Sequence, residues 1–258
     1  MKKYTVITGA SSGIGYETAL AFATRGKNLV IVARRTEELE KLKNEISTIN
    51  AELDVVIKTA DLSIIQNAYE LYEALKQYEI ETWINNAGFG NFASVGEQNL
   101  TKIESMLHLN IEALTILTSL YVRDYSTVEG TQVINVSSRG GYTIVEDAVT
   151  YCATKFYVSA FTEGLAHELK RNGAKMQAKV LAPAATETEF AKVSYDLDQD
   201  INYEEVVPKF HTSKEMAGFM LDLYDSDKIV GSVDGKTYEF NLIDPIYPYT
   251  QKIINSSL

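Results

Sequence analysis

The chain has 258 residues, 45% of them hydrophobic, enough to bury a full core, and no Pro/Gly/Ser-rich linker or charge run divides it; one domain over residues 1–258 is expected. Its 24 basic against 35 acidic residues, net −11, exclude the concentrated positive charge by which nucleic-acid binders hold phosphate backbones. A single cysteine, Cys152, excludes an internal disulfide, and the three histidines, His108, His167 and His211, form no metal-ligand pattern, so no metal is expected.

The opening MKKYTVITGA turns to glycine too soon for a secretory signal, and no long apolar run follows. A cytoplasmic protein without a membrane partner is the expectation. YTVIT (4–8) is the first strand, and it runs straight into TGASSGIG and a helix over 13–25. Gly9, Gly13 and Gly15 let the chain turn tightly, bring bare backbone to a diphosphate and pack helix on strand, while the helix N-terminus adds free N–H groups. Ser11, Ser12 and Ile14 complete this cofactor-binding turn.

The second strand, NLVIVA (28–33), ends in VARRTEEL ahead of a helix over 36–49. Ala33 supplies no carboxylate for the ribose hydroxyls of NAD, whereas Arg34 and Arg35 supply two cations for a 2′-phosphate, so NADP(H) is favoured over NAD(H). The alternative, two solvated charges opening a helix, stays open because Ser12 stands before Gly13 in place of a basic residue. The third strand, 54–59, leads to KTADLS. There Asp61 accepts from an adenine amino group with Leu62 on the ring, or it caps a helix over 64–78 that begins near Ser63; spacing favours neither. The fourth strand, 81–85, closes on NNAG, whose Asn86, Ala87 and Gly88 secure the strand end or approach the cofactor.

A helix over 99–123, a strand over 131–136, a helix over 149–172, a strand over 175–182, a helix over 213–225 and a strand over 237–242 complete the chain. Strands that are apolar throughout are buried on both faces, which makes the sheet parallel and the fold a doubly wound α/β arrangement. In YCATKFYVSAF, Tyr151 and Lys155 lie i,i+4 on one helix face. By itself this spacing occurs often in ordinary helices; where a hydride arrives at a carbonyl carbon and leaves negative charge on oxygen, a proton donor must already stand there, and Tyr151 could give the proton. A neighbouring ammonium lowers a phenol from its usual pKa of about 10. Cys152 has no nearby His base and reads as packing.

In order along the chain, TGASSGIG, NNAG, NVSS and YCATK make the sequence similar to the short-chain dehydrogenase/reductase family. The resemblance implies a single Rossmann-type domain with a sheet of about seven parallel strands, and an oxidoreductase moving a hydride between a nicotinamide cofactor and a carbonyl or alcohol. It also implies a catalytic tetrad of Asn110 (in HLNIEAL), Ser138, Tyr151 and Lys155. Lys155 would bond the nicotinamide ribose, and Asn110 would hold a proton-relaying water. Ser138 is chosen over its neighbour Ser137 because the family's serine lies about a dozen residues ahead of the tyrosine; either hydroxyl could face the site on sequence alone. In LAPAATETEF, Pro183 is followed by Ala184 where the family has glycine, which puts the turn's geometry in doubt. Thr188, with Thr186 as a second possibility, takes the place of the family's carboxamide-binding threonine.

Residues 189–212 match the family's substrate lid. Six acids (Glu189, Asp196, Asp198, Asp200, Glu204, Glu205) outnumber Lys192 and Lys209, with Phe190, Tyr195, Tyr203 and Phe210 interspersed. If those acids face inward they disfavour anions and leave neutral aldehydes, ketones or secondary alcohols as the small-molecule partner; if they face water, only the aromatics shape the pocket. The apolar excess of the two long helices, with the family resemblance, points to a homodimer or homotetramer, a choice the tail from 241 leaves open. Two other functional readings are a nucleotide-binding sensor without turnover and a sugar-nucleotide epimerase or dehydratase. The latter needs a larger C-terminal region than the about 75 residues after the sixth strand.

Overall fold

The computed structural model describes residues 2–199 and 201–250; Asp200 of the lid and the tail beyond 250 lie outside the described residues. The strands are β1 (Lys3–Thr8), β2 (Asn28–Ala33), β3 (Val55–Thr59), β4 (Glu79–Asn85), β5 (Gln132–Val136), β6 (Gln177–Ala182), the two-residue β7 (Thr186–Glu187) and β8 (His211–Thr212), β9 (Val230–Val233) and β10 (Phe240–Ile243). Eight form one sheet in the order 10-9-6-5-4-1-2-3, parallel except for β10, and β7 pairs with β8 apart from it. The helices are α1 (Gly13–Thr24), α2 (Thr36–Ile49), α3 (Ile65–Leu75), α4 (Leu100–Leu107), α5 (Leu114–Tyr125), α6 (Val149–Arg171), α7 (Phe190–Ser194), α8 (Tyr203–Val206) and α9 (Ser213–Asp225).

Side-chain alternation explains why the central strands are apolar at every position. Ile7, Leu29 and Ile31 enter a core with Phe22 of α1, Leu39, Leu42 and Ile46 of α2, and Met216 and Met220 of α9. Their neighbours Val6, Val30 and Val32 enter the opposite core with Leu71 and Leu75 of α3, Leu117 and Tyr121 of α5, and Leu169 of α6. Each strand thus serves both faces, the signature of a helix-covered parallel sheet. On the face of the second core runs a buried polar ladder: Trp83 Nε1 donates to Asn85 Oδ1 (2.9 Å), Asn85 Nδ2 to Asn135 Oδ1 (2.9 Å), and Asn135 Nδ2 to Thr162 Oγ1 (2.9 Å).

Two expectations need correction. The sheet has eight strands, not about seven: VGSV is too short and too small to show an apolar run, and the stretch assigned to the seventh strand is the antiparallel β10. The helix expected over 99–123 is broken by a turn of π-helix, His108–Ala113, between α4 and α5. Such turns are rare and recur at functional sites. Among the described residues no helix is long and apolar enough to cross a membrane.

One buried cation anchors the fold away from the site. Lys179 of β6 is 1% exposed and donates through Nζ to the carbonyls of Leu223 (3.0 Å), Tyr224 (2.9 Å) and Ser226 (2.6 Å), closing the C-terminus of α9. Replacing it with methionine keeps the stem but strands three carbonyls. Lys179→Met is therefore expected to destabilise the protein by about 2–4 kcal/mol, read as a fall in Tm of roughly 5–15 °C by differential scanning calorimetry. A Tm within 1 °C of the parent's, roughly the effect of a neutral surface change, would count against the anchor.

Candidate active site

The site lies where the parallel strands end. β1 passes into the Gly-rich turn with Gly9 at φ 67° and Gly13 at φ 55°, conformations that L side chains resist. Gly15 is needed for another reason: a Cβ there would strike the Gly9 carbonyl and the Asn86 amide. Asn86 explains the packing, since its Nδ2 donates to the carbonyls of Thr8 (3.0 Å) and Gly9 (3.2 Å), while Thr8 Oγ1 accepts from the Asn86 and Ala87 amides. NNAG is thus the brace of the turn. Ser12 precedes α1 without a side-chain cap, so the helix's first amides face the cavity with their partial positive charge.

A cavity of about 1210 Å³ opens over these strand ends. Gly9, Ser11, Ser12, Gly13, Ile14, Arg34, Arg35, Asp61, Leu62, Asn86, Ala87, Gly88, Ser138, Tyr151, Lys155, Pro183, Ala184, Thr186 and Thr188 all line it. Gly15 and Asn110 stand just behind the wall. Asn110, turned by the π-helical stretch, is 1% exposed; its Nδ2 donates to Phe89 O (2.9 Å) and Thr154 Oγ1 (3.1 Å), and its Oδ1 accepts from Phe89 N (3.2 Å). Gly88 separates it from Lys155: a Cβ at 88 would lie 3.0 Å from Asn110 Oδ1 and 3.5 Å from Lys155 Nζ.

Tyr151 sits in the first turn of α6, 7% exposed, between Phe190 (ring centroids 5.3 Å) and Phe92 (6.0 Å). Lys155, one turn on, places Nζ 5.8 Å from the tyrosine ring centroid and donates to Val136 O (2.9 Å). Burial pushes the Tyr151 phenol well above its ordinary value, against the pull of a hydrogen bond from Ser138. Burial also brings Lys155 down to about 8. The expected lowering of the phenol by its ammonium neighbour is not seen here, because burial of the hydroxyl is the largest influence on it.

The choice between the two serines has a geometric answer in the cavity. Ser137 is 3% exposed, its hydroxyl bound to Lys155 O (2.9 Å) and Ser159 Oγ (2.7 Å) inside α6. Ser138 faces Tyr151 and accepts from Gly140 N (3.0 Å). Cys152 packs below, its Sγ accepting from Val145 N (3.4 Å).

At the far end Arg34 is exposed and 4.0 Å from Asp61 Oδ2. Asp61 Oδ1 accepts from the amide (3.0 Å) and hydroxyl (2.7 Å) of Ser63, so it both closes the turn before α3 and faces the cavity. Arg35 has a different task from its neighbour: its guanidinium forks onto Glu189 (2.8 and 3.1 Å) and reaches Ser11 Oγ (3.3 Å), tying the lid to the Gly-rich turn. Thr188 lies in the same seam, where a Cβ on Gly13 would come 2.8 Å from its methyl. Ala184 adopts no positive φ, which removes the doubt raised by the missing glycine.

Among the described residues the lid acids lie at the surface, except that Glu189 also lines the cavity. Glu189 is paired with Arg35, Asp196 with Lys102 (2.6 Å), and Asp198, Glu204 and Glu205 are exposed. The lid charge at the cavity is thus that of Glu189, which Arg35 offsets. Sequence reading passed over Arg139, the residue after Ser138, and Phe92, whose ring joins Phe190 and Tyr195 over the tyrosine.

Comparison with known proteins places these features. A family model described as short chain dehydrogenase matches residues 3–198. An uncharacterised oxidoreductase of Staphylococcus saprophyticus is 30% identical over 205 residues, 78% of this chain and 81% of the relative. Sulfoacetaldehyde reductase 2 of Chromohalobacter salexigens is 31% identical over 217 residues, 81% of this chain and 83% of the relative. A solved short-chain dehydrogenase from Sphingobium yanoikuyae, in complex with NADPH, superposes with a TM-score of 0.80 at 29% identity, covering 88% of this chain and 86% of that one.

Proposed function

Because the chain belongs to the short-chain dehydrogenase family, we propose that it is an NADP(H)-dependent oxidoreductase that moves a hydride between the nicotinamide and a carbonyl or alcohol, with Tyr151 as general acid/base. The observation that carries this reading is one cavity shared by Ser138, Tyr151 and Lys155 and rimmed by an uncapped helix N-terminus behind a glycine turn. The cofactor fits the residues present. The turn and the first amides of α1 suit a diphosphate, Arg34 a 2′-phosphate, Asp61 and Leu62 an adenine, Asn86 to Gly88 the neighbouring ribose, and Pro183 to Thr188 the carboxamide.

When bound, the nicotinamide supplies or accepts the hydride. Tyr151, a phenol that carries its proton near neutrality, gives it to the carbonyl oxygen in reduction, and Ser138 donates a hydrogen bond to that oxygen. Lys155, fixed by Val136 O, sets the positive potential behind the phenol, and Asn110 stands across Gly88 as the next polar group for a proton path. The half-buried Ile116 and Leu120 of α5, and Phe156, Phe161 and Leu165 of α6, are the surface through which we place a homodimer or homotetramer.

The test is an absorbance assay of purified protein with NADPH and NADH against aldehydes and ketones, with Tyr151→Phe as control. Absence of turnover with every carbonyl would favour a cofactor sensor; tightly retained NAD would favour an epimerase. The cofactor assignment has its own check. Arg34→Ser is expected to lower the NADPH-to-NADH ratio of kcat/KM roughly 10- to 100-fold, the worth of a charge-assisted contact to phosphate. A parent enzyme that prefers NADH would sink the assignment of Arg34.

A further inference from the structure

Of the cations lining the cavity, Arg34 faces Asp61, Arg35 is forked onto Glu189, and Lys155 donates to Val136 O. Arg139 is placed differently. It follows Ser138 directly, and its amide donates to Pro183 O (2.7 Å), which pins its backbone between the ends of β5 and β6. Its guanidinium lies over Gly235, where a Cβ would come 3.0 Å from Nη2 and 3.2 Å from Nε. The Nε atom is buried with no hydrogen-bond partner, and among the described residues no ion pair reaches this side chain.

A buried guanidinium N–H without an acceptor is unfavourable in the protein alone, and it becomes favourable when an acceptor arrives. Asp234 is the acid close enough to feel the charge. However, its Oδ1 is taken by the amides of Lys236 (2.8 Å) and Thr237 (2.8 Å), and those bonds, more than Arg139, hold its carboxyl below the usual range. Arg139 and Gly235 both line the cavity, where a side chain at 235 would crowd the guanidinium, and Lys236 adds a second, exposed cation at the cavity rim.

We infer that Arg139 is a specificity-determining residue that binds an oxyanion on the substrate, so that the enzyme acts on short carbonyl compounds or alcohols carrying a carboxylate or sulfonate a few carbons from the reacting carbon. Arg139 and Ser138 are consecutive and line the same cavity, so one short substrate can meet both. Arginine suits this task because its planar fork meets two oxygens of a carboxylate or sulfonate at once. The inference rests on the proposed oxidoreductase activity and adds the charge of its substrate.

The experiment compares NADPH-dependent reduction of 4-oxobutanoate and 3-oxopropanesulfonate with that of butanal, in the parent protein, Arg139→Gln and Arg139→Lys. The parent is expected to favour one or both anions by roughly tenfold or more in kcat/KM. Arg139→Gln is expected to lower the anion-to-butanal ratio roughly 10- to 100-fold, chiefly through KM, with Arg139→Lys recovering part of it. Titration of NADPH by fluorescence, together with circular dichroism, establishes that the variants fold and bind cofactor. A parent that prefers butanal, or an Arg139→Gln ratio equal to the parent's, overturns the role of Arg139 alone. NADPH binding with no turnover of any of the three overturns this inference, and the oxidoreductase reading falls with it only if the wider set of aldehydes and ketones is also not turned over.

Discussion

Tyr151→Phe is expected to lower kcat for carbonyl reduction by roughly 10²- to 10⁴-fold, the usual contribution of a positioned proton donor, while NADPH still binds. The substitution removes one oxygen and keeps the ring, whose edge contacts with Phe92 and Phe190 hold the first turn of α6. Burial excludes water as a ready replacement donor at this position, since the residue is 7% exposed. Ser138 remains and can still donate to a developing oxyanion, so a residual rate above background is expected. The measurement is steady-state kcat beside an NADPH binding curve. Loss of both kcat and NADPH binding would point to a structural tyrosine, and a kcat within threefold of the parent's would remove Tyr151 from the chemistry altogether.

What could be read from the chain alone follows the reach of the interactions involved. The bounds of β2 and α2 match their sequence patterns because NLVIVA serves two cores at alternate positions and TEELEKLKNEISTI carries one buried stripe, Leu39, Leu42 and Ile46. Short motifs with fixed spacing, the glycine turn and Tyr-x₃-Lys, were legible for the same reason. β9 was not, because VGSV acquires its strand character only by pairing with β6 and β10. The extra residue that makes the π-helical turn around Asn110 leaves an apolar period too little disturbed to register in a 25-residue helical pattern.

Contacts between distant segments were beyond local reading. Arg35 and Glu189 meet across 154 positions, so the tie between the lid and the Gly-rich turn could not be read locally. The pairing of the lid acid Asp196 depends on Lys102, which belongs to another element. For Lys179 a signal was present: a lysine amid apolar residues in KMQAKVLA is out of place unless something buried receives it.

Lys155→Met is expected to lower kcat/KM for reduction by roughly 10²- to 10³-fold, the scale seen when one preorganised electrostatic partner is deleted from a site. Its pH behaviour separates this residue from a packing lysine. Burial brings the parent's Lys155 down to about 8, so its charge is present below that pH and lost above it. Tyr151, pushed above its ordinary value, stays protonated through the same range. The parent's kcat/KM for reduction should therefore be level near neutrality and fall by about tenfold per pH unit above about 8, and Lys155→Met should show no such limb. Stability moves the other way. With a folded-state pKa below the unfolded value of 10.5, the unfolded chain binds more protons between about 8 and 10.5, so this group's contribution to stability rises with pH across that window. Lys179, also brought down to about 8 by burial, acts in the same sense. An alkaline loss of activity without a contribution from these lysines to a fall in Tm is thus the signature of a titrating ammonium at the site. The same alkaline limb in Lys155→Met would assign it to another group and leave Lys155 a role in holding the end of β5 through Val136 O.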